Sequence, residues 1–446
     1  MAGLLPPLLM NRGARRCLSR CWVNSSNAVL VLGRRQDAAR YRPVIGPEDH
    51  SDRPPAQGLA AEGAPPGRRP FTPGRIPSVA PWVAAGLGCS GALAAAVTRP
   101  DYARLAAAQD WPPFVLVSGL LLIGLVANQD GLFAAAGHLL ARSARNGIVL
   151  YAGAVLLIAT VTTLLNLDTS VAFLTPILVY TARSRGEGEA PLLYGCILLA
   201  NAGSLLLPGS NLTNLIVLGE VHLSGGQFFR HMAPPGIAAI LVTAVVVGVV
   251  HHRSLRATAT VGENAGQPVF GVGLVAIAAA TVLVLVLGSP ALPVAAVGVA
   301  AVAIKARNWP GQARRALEVL GLPILIGLFG IAVALGTLGR AWSGPAELLH
   351  HLDTWATAAV AALLAVLVNN LPAASLLASR PPPRPFALLI GLNIGPNLFI
   401  TGSLAWALWW RAARTAGARP TVSAAARVGL VAAPLAIAAA LAILTV

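Results

Sequence analysis

The chain has 446 residues, of which 56% are hydrophobic and only 11% are charged, and its mean hydropathy is +0.71. A water-soluble globular protein would not sustain repeated uncharged runs of about 20 residues, the length that one membrane-spanning helix needs. The net charge of +16 would suit a nucleic-acid partner. The basic residues, however, lie in an N-terminal tail and in short loops between apolar runs, where positive charge sets membrane topology.

Residues 1–75 are rich in Arg, Pro and Gly and show little periodicity. We predict that they form a disordered basic tail on the cytoplasmic side, followed by a transporter domain over 76–446. Cys17 and Cys21 of the tail lack the second pair of ligands that a structural zinc site requires. The sequence therefore predicts no metal site and no cofactor.

The first half of the transporter domain, about 79–251, is predicted to form one repeat. Two crossing helices, separated by a loop that ends at residue 112, precede a re-entrant hairpin with its tip at 166–168. The second arm of that hairpin, 169–182, is too short to cross a bilayer at 1.5 Å per residue. In chain order the predicted elements are the helices 79–98 and 113–130, the hairpin 147–182, a broken helix 191–219 and a helix 234–250.

The second half repeats this order after a linker helix at 269–288. Its predicted elements, over about 290–446, are the helices 290–304 and 320–338, a hairpin 354–378, a broken helix 386–410 and a last helix 428–446. The placement that keeps most basic loops on one side orients the two repeats oppositely. We therefore predict an all-α polytopic membrane protein with two inverted repeats, which is the architecture of many secondary transporters.

Four polar breaks interrupt the apolar runs: "NLDT" (166–169), "PGSNLTN" (208–214), "NNLP" (369–372) and "NIGPNLFITGS" (393–403). A single Asn or Ser in a membrane helix usually bonds to a neighbouring helix. Four breaks at matching positions favour a binding site instead, because non-helical backbone at membrane depth survives only when it is buried or lines a cavity. The candidate substrate-binding residues are Asn166, Thr169, Ser210, Asn211, Asn369, Asn370, Asn397, Thr401 and Ser403.

Asp168 is the most unusual residue of the first break. A carboxylate at the centre of a bilayer costs about 2.5–3.5 kcal/mol on insertion scales, and no Lys or Arg lies within a predicted membrane segment to pair with it. Burial without a partner suits reversible protonation, so Asp168 is the candidate coupling residue. An alternative is that Asp168 caps a half-helix starting at Thr169. Asp130, the other acid near a predicted membrane segment, is interpreted as a surface or gate residue.

Two further features bear on the class of protein. Cys196 lies in an apolar helix and could bind a thiophilic solute, although a lone cysteine in such a place usually serves packing. The chain contains no P-loop, GxSxG or HExxH motif. We therefore expect no enzyme activity and no catalytic residue.

Five segments, 118–142, 165–183, 200–217, 368–378 and 392–411, together resemble the arsenite permease (ArsB) family of the ion transporter superfamily. The most specific segment is "LNIGPNLFITGSLAWALWWR", in which Asn393 stands where the family commonly has Asp. The resemblance implies efflux of arsenite or antimonite driven by proton entry, sometimes with a soluble ATPase subunit. It also implies two inverted repeats whose hairpin tips meet at the site.

The predicted function is secondary-active export of arsenite or antimonite in exchange for protons, across the cytoplasmic membrane. The proposed site has no Arg or Lys, which favours a neutral solute or a cation over a dianion. Two alternatives remain, namely a sodium- or proton-coupled carboxylate or cation transporter of the same superfamily, and a non-transporting membrane scaffold. The sequence leaves the oligomeric state open, a homodimer included.

Overall fold

The computed structural model describes residues 80–219, 221, 223–256, 271–307 and 310–445, and all regular structure within these ranges is helical. The tail predicted for 1–75 lies outside the described residues. The first ten helices are α1 (Ala80–Thr98), α2 (Pro100–Gln129), α3 (Leu132–Ser143), α4 (Gly147–Leu164), α5 (Leu167–Ser184), α6 (Ala190–Gly203), α7 (Leu212–Leu218), α8 (Gly225–Val250), α9 (His252–Leu255) and α10 (Val272–Val286). The remaining helices are α11 (Ala291–Ala306), α12 (Gln312–Leu320), α13 (Leu322–Ala341), α14 (Gly344–His351), α15 (Thr354–Val368), α16 (Asn370–Leu377), α17 (Pro385–Ile394), α18 (Leu404–Thr415) and α19 (Val422–Leu444).

The prediction of an all-α polytopic membrane protein is confirmed. Six helical segments of the described chain, with α12 and α13 taken together, are long and apolar enough to cross a membrane. The same series of elements occurs twice, first as the α4–α5 hairpin, the broken helix α6–α7 and α8. It recurs as the α15–α16 hairpin, the broken helix α17–α18 and α19. We call these ten elements the core helices; α8 packs on α19, which joins the two repeats.

The frame helices, α1, α2, α10, α11 and α13, pack beside the core helices and cross one another closely. A Cβ atom added at Gly88 of α1 would lie 2.0 Å from the carbonyl oxygen of Gly327 in α13. One added at Gly298 of α11 would lie 2.6 Å from the carbonyl oxygen of Gly119 in α2. Small residues let membrane helices approach in this way, and the gain is mainly in van der Waals contact.

The two largest errors in the predicted helix boundaries both fall at a pair of prolines. The segment up to residue 112, predicted as a loop, is the first part of α2, which continues through Pro112 and Pro113. Likewise α8 begins at Gly225 rather than at 234, and it includes Pro234 and Pro235. Proline favours a helix start in isolated sequence, but packing against neighbouring helices supports a membrane helix across the lost backbone hydrogen bond.

Asp130 joins three frame helices and is not a surface residue. Its side chain is 2% exposed and forms an ion pair with Lys305 at the end of α11. Its Oδ2 accepts a hydrogen bond from the backbone N–H of Gly273, at the start of α10, at 2.6 Å. The carboxylate therefore ties the end of α2 to α10 and α11.

Candidate functional site

The tip of the first hairpin is set by Asn166. Its backbone is extended (φ −165°, ψ 172°), and its Oδ1 accepts a hydrogen bond from the N–H of Thr169 at 2.6 Å, so Asn166 is the N-cap of α5. The alternative that Asp168 caps this helix is therefore wrong. Asp168 lies in the first turn and is partly exposed. Within the described chain its carboxylate has no hydrogen bond or ion pair.

The first hairpin tip touches the break in the first broken helix. The hydroxyl of Ser210 donates to the carbonyl oxygen of Thr163 at 3.3 Å, and it accepts from the N–H of Leu207 at 3.2 Å. Asn211 then starts α7, since its Oδ1 accepts from both the N–H and the hydroxyl of Thr213, at 3.2 Å and 2.8 Å. The break and the tip of the first repeat are thus in direct contact.

The second repeat has the same arrangement, built around Asn369. This residue has φ +78°, the only positive φ outside glycine in the described chain, and asparagine tolerates that conformation better than most residues. Its Nδ2 donates to the carbonyl oxygen of Thr401 at 3.2 Å. The N–H of Asn370, the first residue of α16, donates to the carbonyl oxygen of Gly402 at 2.9 Å. The second tip therefore lies on the break between α17 and α18.

The half-helices that follow these breaks pair crosswise between the repeats. Arg183, near the end of α5, donates to the carbonyl oxygens of Ala416 and Gly417 just after α18, at 2.8 Å and 3.0 Å. α5 and α18 pack side by side, so with their C-terminal ends together they run parallel. α7 and α16 also pack together, and both of their C-terminal ends bond to one side chain, Gln109. The N-terminal ends of α5, α7, α16 and α18 consequently all point toward the breaks.

A network of buried amides holds the two broken helices together. Nδ2 of Asn201 donates to Oδ1 of Asn397 at 2.8 Å. Nδ2 of Asn211 donates to Oδ1 of Asn393 at 2.5 Å, and Nδ2 of Asn393 donates to Oδ1 of Asn214 at 2.7 Å. Asn211 and Asn397 were predicted to bind the solute; in this arrangement their side chains bond to the opposite repeat. Sequence analysis missed Asn201, Asn214 and Asn393 as partners, although Asn214 and Asn393 lie within two of the breaks and Asn201 precedes one by seven residues.

Other polar groups near the first tip have no partner. The atoms concerned are Nδ2 of Asn166 and the hydroxyls of Thr162, Thr169, Ser170 and Ser403, all buried and without a hydrogen bond in the described part of the chain. Ser403 directly precedes α18, which packs on α5. Buried polar groups are nearly always hydrogen-bonded, so these groups are candidates for hydrogen bonds to a polar solute or to water. Thr162 and Ser170 were not predicted, although both lie within four residues of Asn166.

The predicted site residues thus fall into three groups. Asn166, Thr169 and Ser403 each have a buried polar atom without a partner in the described chain, and the first two lie within two residues of Asp168. Asn369 and Asn370 form the second tip, and Thr401, which is exposed, lies in the break that this tip contacts. The remaining predicted residues, whose side chains are bonded within the protein, are Ser210, Asn211 and Asn397.

The electrostatics of the site are simple. The residues of the four breaks include no Lys or Arg, and Asp168 is their single acidic residue. Four half-helix N-termini add partial positive charge, because unpaired N–H groups and the helix dipole point there. The arrangement can accommodate a small solute rich in hydroxyl or carboxyl oxygens, beside one carboxylate. Cys196 lies on α6, fully buried, with its Sγ 3.4 Å from the hydroxyl of Thr175, and serves packing there.

Comparison with known proteins agrees with this architecture. The citrate transporter family matches residues 72–391. The arsenical pump membrane protein of Escherichia coli strain K12 is 27% identical over 359 residues, which cover 72% of this chain and 83% of the relative. Its counterpart in Yersinia enterocolitica is 26% identical over 333 residues, covering 67% and 78%.

Among solved structures, the YdaH transporter of Alcanivorax borkumensis is 17% identical and covers 76% of this chain and 85% of that one, with a TM-score of 0.48. The predicted resemblance to the arsenical pump proteins is confirmed by the sequence relatives. The chain is therefore a multi-pass membrane transporter, and it belongs to the citrate transporter family of the ion transporter superfamily.

Proposed function

We propose that this protein exports arsenite or antimonite from the cell in exchange for protons. The observation that carries the proposal is the unpartnered polar cluster beside Asp168, in a site without a cationic side chain. Trivalent arsenic is the neutral trihydroxide at neutral pH. Such a solute needs hydrogen-bond donors and acceptors around it, which hydroxyl and amide groups supply without charge.

Asp168 accounts for the exchange. When the carboxylate is ionised, it accepts a hydrogen bond from a hydroxyl of the solute, while Nδ2 of Asn166 and the hydroxyl of Thr169 bind its oxygens. When Asp168 carries a proton, that strong acceptor is lost, because a charged acceptor bonds about twice as strongly as a neutral one. Proton and solute then compete for one place. A site that alternates between the two sides of the membrane would release solute where it takes up a proton.

The experiment is arsenic accumulation in cells that lack their own arsenite exporter. We expect lower internal arsenic with the wild type than with empty vector, and loss of that difference on Asp168→Asn or on adding a protonophore. Asp101→Asn is the matched control, since Asp101 is an exposed acid near the start of α2. Unchanged arsenic in cells that express the wild type well would overturn the proposal.

A second candidate is carboxylate transport coupled to sodium ions or protons. Two observations favour it: the family that matches residues 72–391 is described as a citrate transporter, and four half-helix N-termini face the site, where they would stabilise an anion. Uptake of labelled citrate into vesicles, with and without a sodium gradient, separates the two functions. Citrate uptake together with no effect on arsenite would favour the second.

A further inference from the structure

Gln109 of α2 ties the frame helices to the core helices. Its Nε2 donates to the carbonyl oxygens of Ile216 in α7 and Ala378 after α16, at 3.0 Å and 2.9 Å. Its Oε1 accepts a hydrogen bond from NH2 of Arg340, in the last turn of α13, at 2.7 Å. We call these four residues the Gln109 clamp. It holds the C-terminal ends of two half-helices, far along the chain from each other, against α2 and α13.

Asp110 lies directly beside the clamp and is 1% exposed, yet neither carboxylate oxygen has a hydrogen-bond partner in the described chain. It lies one helical turn after Ala106, which packs on Gly336, and one turn before Phe114, whose ring contacts Phe329 edge-on at 5.4 Å. This face of α2 is therefore directed at α13. A Cβ atom added at Gly336 would lie 3.1 Å from Cβ of Ala106 and 3.3 Å from NH1 of Arg340, so the guanidinium borders this face of α2. Sequence analysis missed Asp110 because it was placed in a loop.

The other charges around Asp110 are few. Arg380, after α16, donates to the backbone carbonyl oxygen of Arg340 at 2.9 Å and is exposed. On α2 itself, Asp101 and Arg104 are exposed. The neighbouring helices α1, α7 and α16 carry no acidic or basic side chain. Asp110 therefore has one strong electrostatic partner, and that partner is already bonded to Gln109.

We propose that Asp110 is a second proton-binding carboxylate and that its ionisation opens the Gln109 clamp. The guanidinium of Arg340 donates from NH1 to the carbonyl oxygen of Gly336 at 3.1 Å and from NH2 to Oε1 of Gln109 at 2.7 Å, and the carboxylate of Asp110 is a further acceptor on the facing side of α2. A neutral Asp110 leaves Arg340 with Gln109, which is the arrangement observed. An ionised Asp110 is the stronger acceptor, so it draws Arg340 away, and Gln109 loses the charged partner that orients it toward α7 and α16.

A cavity reaches the clamp from outside the four breaks. Its volume is about 490 Å³, and it is lined by Gln109, Arg340, Ser379 and Arg380, among others, so water comes within one residue of Asp110 along α2. This inference rests on the proposed function, in which protons drive export. Uptake of a proton at Asp110, near the C-terminal ends of α7 and α16, would change how the core helices pack against the frame helices.

The test needs no substrate. Hydrogen–deuterium exchange is measured on the full chain in lipid nanodiscs, between about pH 5 and about pH 9, the range in which buried carboxylates titrate. The reporters are the amides in the last turns of α7 and α16. After correction for intrinsic exchange, we expect wild-type protection to fall about tenfold with rising pH, as a charge-assisted hydrogen bond is lost.

Asp110→Asn should keep the high protection at every pH, Gln109→Leu should show low protection at every pH, and the control Asp101→Asn should match the wild type. Protection that does not change with pH in the wild type would overturn the proposal, even if no variant folds. The same pH dependence in Asp110→Asn would overturn it too. Failure of arsenite export leaves these results unaffected, so the two proposals are tested separately.

Discussion

Nδ2 of Asn211 donates to Oδ1 of Asn393, 182 residues further along the chain, at 2.5 Å. The same oxygen accepts from the hydroxyl of Ser204 at 3.1 Å, while Nδ2 of Asn393 donates to Oδ1 of Asn214 and to the carbonyl oxygen of Leu389. One fully buried amide thus satisfies four groups from both repeats. In a hydrocarbon or protein interior, each group left unsatisfied costs about 1–3 kcal/mol.

Asn393→Leu should therefore lower the free energy of unfolding by about 2–5 kcal/mol, because at least two buried groups lose their partner. Denaturant unfolding in detergent, followed by tryptophan fluorescence, measures the effect. Asn128→Leu is the control, since Asn128 lies on α2 and its side chain has no hydrogen bond in the described structure. Equal stability of the two variants would contradict a structural role for the network.

The opposite result is expected at the unpartnered cluster. Thr169→Val removes a buried hydroxyl that has no hydrogen bond in the described structure, so stability should stay within about 1 kcal/mol of the wild type or rise. The KM for arsenite should rise about tenfold, the loss of one hydrogen bond to the solute.

Thr175→Val is the matched control for this prediction. Thr175 is equally buried on α5, but its hydroxyl donates to the carbonyl oxygen of Val171 at 2.6 Å. A valine there should leave the KM unchanged. If both variants raise the KM equally, the hydroxyl of Thr169 does not contact the solute.

The crossing of α1 and α13 gives a third prediction. Gly88→Ala places a Cβ atom 2.0 Å from the carbonyl oxygen of Gly327, so the helices must separate, at a cost of about 1–3 kcal/mol. Gly86→Ala is the control: Gly86 lies two residues earlier on the same helix, nothing lies within 4 Å of the new atom, and the change should be neutral or stabilising. Thermal unfolding in detergent compares them. Equal melting temperatures would argue against close packing here.

His251, just beyond the end of α8, makes stability depend on pH. Burial, and then the positive charge of Arg427, lower the pKa of this imidazole below its usual value of 6.5. Its ring stacks on Tyr194 with centroids 5.9 Å apart. Because the unfolded chain binds the proton more readily, stability is fully present above about pH 6.5 and falls as the pH drops toward the folded pKa.

His251→Gln should flatten this acid-side loss of stability, as measured by melting temperature between about pH 5 and about pH 8. His252→Gln is the control, because His252 is exposed. An unchanged pH profile in His251→Gln would show that another group causes the loss.

Hydropathy and the positions of the polar breaks were enough to predict the long apolar helices, both hairpins and both broken helices, but not the short helices α3, α9, α12 and α14. Apolar runs and their interruptions are local features of the sequence, so they can be recognised without knowing which helices pack together. The partners of the polar residues could not be predicted in the same way. Asn211 and Asn369 both lie within a polar break, but only the packed structure shows that Asn211 bonds across the repeats and Asn369 to its own repeat.

One missed residue, Asp110, follows from the wrong predicted start of α2. Asp110 was placed in a loop because two prolines follow it, and prolines often mark a helix start. Continuous packing of α2 on α13 overrides that preference. Because α2 begins at Pro100, Asp110 lies on a buried helix face and not in a solvated loop. A buried carboxylate needs a structural or functional explanation, whereas an exposed one does not.

The crosswise pairing of the half-helices bears on how the chain is made. Arg183 of the first repeat finds its carbonyl partners 233 and 234 residues later, at Ala416 and Gly417. While the first repeat is being synthesised, α5 has no α18 to pack against, and α7 has no α16. Contacts between residues so distant in sequence form late. We therefore expect that the first repeat alone is an open intermediate in the membrane, and that two separately expressed halves regain a stable fold only by associating.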